Sequence, residues 1–118
     1  MINIRLSWPP SVNRCYRTYR GRYLLSAVGR QYKKDAAVEL IVQKAPKGLT
    51  TRLEVNIDAY PPDKRKRDLD NLTKILLDVL EDYGIYVNDE QIDILRIRRM
   101  SVVKSGYVRV YITEIDEV

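Results

Sequence analysis

The stretch DLDNLTKILLDVLEDYG, residues 68–84, decides the fold. Leu69, Leu72, Leu76, Val79 and Tyr83 recur at three- and four-residue steps, the period of an amphipathic helix, and Gly84 is placed to end it. At 100° per residue, Asp70, Lys74, Asp78 and Glu81 fall within about 80° of one another on the opposite side. Leu77 falls among these polar residues, off the main apolar stripe, and offers an exposed contact for an interface. A helix with one apolar face needs a partner surface, and strands flank it on both sides. Upstream, Leu53, Val55, Ile57 and Ala59 alternate with Arg52, Glu54, Asn56 and Asp58, a half-buried strand closed by Pro61-Pro62. Downstream, a strand around Ile92–Met100 shifts phase between Ile94 and Leu95, as a bulge produces. Ser105-Gly106 then turns into a last strand, where Val108, Val110 and Ile112 alternate with Tyr107, Arg109 and Tyr111.

Toward the start of the chain, Ile2, Ile4, Leu6 and Trp8 form another alternating strand, stopped by Pro9-Pro10. Residues 11–25 carry no clear period and read as a loop with at most a short hairpin. Ser26 is placed to cap a helix running to about Ala45, whose inner face is Val28, Tyr32, Ala36 and Leu40, widened by Ala37 and Ile41. The order β-α-β-α-β-β predicts an α+β fold, a mixed β-sheet with two main helices packed on it. No repeat or linker divides the 118 residues, so a compact single domain over 1–118 is expected.

The chain has no histidine. That removes His-based zinc sites, Ser-His-Asp and Cys-His nucleophile activation, and any histidine general base. Chemistry here must run on carboxylates, lysines, arginines, tyrosines and metal ions. The single cysteine, Cys15, leaves no intramolecular disulfide and reads as a small buried apolar residue. No apolar run approaches the roughly 18 residues of a membrane span, and MINIRLSWPP does not read as a secretory signal. A cytoplasmic protein without membrane contact is the expectation.

The formal charge is +5, but its distribution says more. Residues 1–67 hold 15 Lys and Arg against 5 Asp and Glu, while residues 68–118 hold 6 against 11. A basic segment is an electrostatic footprint for polyanions. An acidic cluster beside it repels a phosphate backbone unless cations sit between them. The layout suits a metal-dependent enzyme acting on nucleic acid.

Two segments carry that chemistry. In Lys64-Arg65-Lys66-Arg67-Asp68-Leu69-Asp70, four cations precede two aspartates at the start of a helix, and Lys74 follows one turn on. Mg²⁺ takes hard carboxylate oxygens and keeps several waters, so Asp68 and Asp70 beside a phosphate track form a candidate metal site. Lys74 is placed to neutralise charge developing on a cleaved phosphate; the competing reading is an i,i+4 surface pair. A third acid is needed, and Asp89 is the choice, with Asp82, Glu90 and Asp93 poorer on position and adjacent Glu90 still open. The helix is about 21 Å long at 1.5 Å per residue, and the five steps after Gly84 return at most about 17–18 Å. Asp89 therefore approaches Asp68 and Asp70 only if Ile85–Val87 runs straight along the helix. The second segment, residues 13–23, interleaves Arg14, Arg17, Arg20 and Arg22 with three tyrosines, a pattern in which arginines hold phosphates and rings stack on exposed bases.

These residues resemble the RusA family of Holliday-junction resolvases, small bacterial endodeoxyribonucleases often carried by prophages. The resemblance covers nearly the whole chain. It rests on Trp8-Pro9-Pro10-Ser11, Asn13-Arg14, Tyr16-Arg17, Gly21-Arg22, Ser26, the block Arg67-Asp68-Leu69-Asp70-Asn71-Leu72 with Lys74, and Asp89 with Gln91. It implies a homodimer, Mg²⁺ dependence (with Mn²⁺ as a substitute), and paired symmetric nicking of four-way DNA junctions in recombination and repair. It also implies catalytic roles for Asp68, Asp70, Asp89 and Lys74. Position 88 is Asn, where relatives can carry an acid, so a doubled acidic pair is not expected. The alternative is a non-catalytic basic nucleic-acid-binding protein whose acids cap a helix. A PD-(D/E)xK nuclease ranks lower, because no (D/E)-x-Lys triplet follows Asp63 or Asp70.

Overall fold

In chain order the computed structural model, which describes residues 1–115, runs β1 (Ile2–Ser7), a one-turn helix α1 (Val12–Cys15), β2 (Tyr16–Tyr19), β3 (Arg22–Leu25), α2 (Ala27–Val42), β4 (Arg52–Tyr60), α3 (Asp70–Tyr83), a 3₁₀ turn (Asp89–Gln91), β5 (Ile92–Arg99) and β6 (Tyr107–Ile115). The last three residues of the expected 1–118 domain lie outside the described residues. The architecture is the expected α+β one. Its main sheet has the order β1-β6-β4-β5, with β4 and β5 parallel and the other pairs antiparallel. The last two strands are not neighbours, because β6 inserts between β1 and β4.

Register builds the core. Val108, Val110 and Ile112 of β6 face Leu6, Ile4 and Ile2 on one side and Ala59, Ile57 and Val55 on the other. Directly paired residues share a sheet face, so the apolar positions of three strands coincide. Tyr32, Ala36 and Leu40 of α2 and Leu72, Ile75, Leu76, Val79 and Leu80 of α3 complete the same cluster. Truncating a fully buried leucine here, such as Leu76, removes about 2–5 kcal/mol. Gly84, at φ 97°, provides the left-handed ending of α3.

Five local expectations are corrected. The stretch read as a loop with at most a short hairpin holds α1 as well as the short β2–β3 hairpin, whose two-residue turn Arg20-Gly21 has φ of 50° and 74°, the sign pattern of a type I′ turn. The inner face of α2 runs through Gly29, Tyr32, Ala36 and Leu40, whereas Val28 and Ile41 are exposed. Gly29 sits there because α1 crosses closely: a Cβ at Gly29 would lie 2.6 Å from the Cys15 carbonyl oxygen. The helix also ends at Val42 rather than near Ala45. Lys44 takes φ 58°, and the Ala45 amide donates to the Leu40 carbonyl, a Schellman ending built without glycine. The irregularity in β5 falls at Asp93, since Leu53 faces Ile92 and Glu54 faces Ile94; Asp93 turns out to pair with Arg52. Leu77 is half-buried against the core, because the segment after α3 folds back and Tyr86 donates its hydroxyl to the Leu77 carbonyl.

Candidate active site

One end of the main sheet carries the loop that leads into α3. There β4 runs out at Tyr60, and residues 61–69 cross to the helix without regular structure. Asp63 organises this loop. It accepts from the Arg65 amide at 2.9 Å and pairs with Arg67 at 2.8 Å, and these contacts hold its carboxyl down at about 2, with Arg67 the largest cause. Arg67 also lies over the Trp8 ring, 5.7 Å from its centroid, and its carbonyl accepts from Arg99 at 2.6 Å. Of the four cations expected to track phosphates, Arg67 is therefore turned inward as a strut. Lys64, Arg65 and Lys66 remain exposed. Two adjoining clefts, of about 230 and 160 Å³, open on either side of Trp8 and Arg67, and Asp68 lines both.

Asp68 and Asp70 stand at the start of α3. Leu69 occupies the cap position, and no side chain caps the helix, so Asp68 does not serve as the N-cap. The Asn71 and Leu72 amides of the first turn bond back to the Asp68 and Leu69 carbonyls, and the helix dipole still favours anions at this end.

The acids divide by whether their side chains have partners. Among the described residues, every Asp and Glu side chain but three is engaged. Asp35 accepts from Gln31 and Glu39 from Ser7, while Glu54, Asp58 and Asp63 pair with Arg96, Arg98 and Arg67. Asp78 pairs with Lys74, Asp82 with Lys33, and Glu90 and Asp93 with Arg52, while Glu81 accepts from the Asp89 amide and Glu114 from Thr51. The three left over are Asp68, Asp70 and Asp89. They are also the three that the sequence singles out.

The structure does not gather all three within one chain. Tyr86 is anchored to Leu77, and the Asp89 amide donates to Glu81 Oε1 at 2.7 Å. Asp89 thus returns only as far as the later turns of α3, and Glu81 lies eleven residues, about 16 Å of helix, beyond Asp70. Among the described residues no group of three acids, cysteines or histidines converges at metal-ligand distance. Asp68 and Asp70 alone still suit a small hard cation, because Mg²⁺ binds through one or two carboxylates and fills its remaining positions with water and substrate phosphate.

Lys74 sits one turn along from Asp70. Its Nζ is 3.5 Å from Asp78 Oδ2, 4.8 Å from the centroid of the Tyr16 ring and 5.9 Å from that of Tyr23. The Tyr16 hydroxyl donates to Asp78, and the two tyrosine rings meet edge to face. Base stacking is the expected role of the tyrosines of residues 13–23, and docking on the core the competing one. Tyr16 instead docks the hairpin on α3, while Tyr19 and Tyr23 stay exposed beside Arg17, Arg20 and Arg22. Arg14, on α1, is exposed as well, and Cys15 is buried as expected. Asp78 and Tyr16 were not recognised as a pair. Their only trace in the sequence is the i,i+4 spacing of Lys74 and Asp78, since the tyrosine comes from 62 residues away.

Among the described residues no helix is long and apolar enough to cross a membrane. The family pattern described as endodeoxyribonuclease RusA matches residues 7–113. Crossover junction endodeoxyribonuclease RusA of Escherichia coli strain K12 is 39% identical over 112 residues, covering 95% of this chain and 93% of its own length. The protein of the same name from Enterobacteria phage 82 matches with the same figures. That of Shigella sonnei strain Ss046 is 40% identical over 114 residues, again covering 95% and 93%. With its loop, helix start and unpaired acids inside the matched span, this chain belongs to the RusA family of endodeoxyribonucleases.

Proposed function

We propose that the protein is a Mg²⁺-dependent endodeoxyribonuclease that resolves four-way DNA junctions by paired symmetric nicks, in recombination and repair. The observation that carries this reading is that Asp68, Asp70 and Asp89 alone among the described acids lack a partner, in a protein of net positive charge. An unpaired carboxylate facing solvent contributes little to stability, and Asp68 and Asp70 beside a cationic loop only repel the DNA that the loop attracts. A divalent cation removes that conflict.

Asp68 and Asp70 would hold Mg²⁺, or Mn²⁺ in its place, at the start of α3, with Asp89 as the third acid of the set. The bound cation supplies Lewis-acid polarisation of the scissile phosphate and activation of a water. The chain's own residues orient the substrate. Lys64, Arg65 and Lys66 hold the phosphate backbone at the cleft, and the dipole of α3 favours the same charge. Arg14, Arg17, Arg20 and Arg22 extend the cationic surface along α1 and the hairpin, and exposed Tyr19 and Tyr23 offer ring faces to unpaired bases. Lys74 stabilises charge that develops on the phosphate as the bond breaks. Two cuts placed symmetrically on one junction call for two sites related by a twofold axis, hence a homodimer.

Labelled four-way, forked and linear duplex DNA, incubated with the protein with and without Mg²⁺, tests this reading. Nicks on opposite strands of the four-way junction, seen only with the cation, are expected. Metal-independent binding without cleavage would instead make the chain a nucleic-acid-binding protein.

A further inference from the structure

Lys74 has two carboxylates within reach along α3, Asp70 one turn back and Asp78 one turn on. For isolated helices the pair with the acid N-terminal to the lysine is the better one, so Asp70 is the partner that helix physics favours. The structure has the other pairing. What reverses the preference is Tyr16. Its hydroxyl donates to Asp78 and fixes that carboxylate, and its ring lies under the Lys74 ammonium at 4.8 Å, with Tyr23 at 5.9 Å on a further side. We propose that Asp78 and Tyr16 are positioning residues, which hold Lys74 in place for the scissile phosphate and keep it off Asp70.

The inference rests on the reading of Lys74 as the cation that acts on the phosphate, and it adds two consequences. First, a lysine on a helix surface samples many rotamers, and confining it beforehand removes an ordering cost from the cutting step. The carboxylate and the ring faces confine the ammonium while leaving Lys74 partly open to the substrate. Second, a lysine released from Asp78 falls back on Asp70 and competes with the divalent cation for that carboxylate. Burial and the charge of Asp78 push the Tyr16 phenol well above its ordinary value, so it stays a hydrogen-bond donor throughout the working range. Tyr16 opens β2, so the element that anchors the basic hairpin to α3 also sets the lysine.

The test is single-turnover cutting of a labelled four-way junction at a series of Mg²⁺ concentrations, by Asp78→Asn and Tyr16→Phe, each alone and combined with Lys74→Ala. Tyr16→Phe keeps the ring and guards against a folding defect. Each single variant is expected to cut about tenfold more slowly at unchanged junction affinity, the scale of a misplaced catalytic group. Asp78→Asn should also need more Mg²⁺ for half-maximal rate. In the Lys74→Ala background both effects should vanish, because positioning residues act only through the lysine. Losses that multiply with that of Lys74→Ala, or a slow Lys74→Ala beside an Asp78→Asn within twofold of the parent, would overturn the positioning role. A Lys74→Ala enzyme cutting at the parental rate would overturn the assignment of the lysine and this inference with it.

Discussion

Lys74 pairs with Asp78, four residues on, at 3.5 Å, and not with Asp70, four residues back. Asp70 thereby keeps both carboxylate oxygens free at the start of α3, and the positive charge remains one turn away. As a half-exposed surface pair, the Lys74–Asp78 contact is worth only a few tenths of a kcal/mol to the fold. As a group preorganised where charge develops, the same lysine would be worth about 10²–10³ in turnover, roughly 2.7–4 kcal/mol.

Lys74→Ala should therefore leave thermal stability nearly unchanged and lower the single-turnover rate at least about tenfold, with a modest change in junction affinity. Lys74→Arg should restore part of the rate, because it keeps the charge without the compact geometry. Rates at saturating enzyme separate this from a binding defect. A Lys74→Ala enzyme within twofold of the parent would return the lysine to a structural role.

The basic loop divides into cations left exposed and one that is turned inward, although exposed Arg65 also pairs with Asp63 at 3.3 Å. Arg65 and Lys66 are exposed, whereas Arg67 is fixed by Asp63, Trp8 and the carbonyl bond from Arg99. Replacing Arg65 and Lys66 by Ala should flatten the log–log dependence of junction affinity on salt, with stability unaffected. The slope should fall by roughly one unit for each phosphate that the loop no longer neutralises. Arg67→Ala should instead lower the melting temperature. Salt titrations of binding beside thermal melts distinguish the two, and an unchanged slope for the double variant would mean that the loop does not face DNA.

Acid should release the same loop in a defined window. Asp63 is held at about 2, below its ordinary 3.8, chiefly by Arg67 and then by the Arg65 amide. A carboxyl lowered in the folded state contributes stability that is present above its unfolded value and lost as pH falls through the folded one. The anchoring of residues 63–67 should thus be whole above about pH 4 and disappear between there and about pH 2. An NMR titration of the Asp63 carboxyl and the Arg65 amide reads it, and a midpoint at the ordinary value would contradict the pairing.

The sequence made α3 and the sheet legible because their signals are local. The apolar stripe from Leu69 to Tyr83 and the alternation of β1, β4 and β6 each follow from one short window, and the register then follows from matching apolar faces. Features that depend on distant partners stayed hidden. The end of α2 uses Lys44 in a conformation that usually calls for glycine, and the bulge in β5 falls at Asp93, which pairs with Arg52 from the neighbouring strand. The β2–β3 hairpin is too short and too exposed to carry a period. For the candidate site, Asp68, Asp70, Lys74 and Asp89 are legible as residue types at suggestive spacings. That Asp89 halts beside Glu81, and that Tyr16 reaches Asp78, depends on contacts between separate segments, which spacing does not encode.

If Asp70 is a ligand for the catalytic cation, Asp70→Asn must separate cutting from binding. The substitution keeps the shape, removes one negative charge facing phosphate, and leaves the Lys74–Asp78 pair in place. Nicking of a labelled four-way junction at saturating Mg²⁺ should collapse, while junction binding is retained or strengthened. An Asp70→Asn protein that cuts at the parental rate would mean that the cation is not held there.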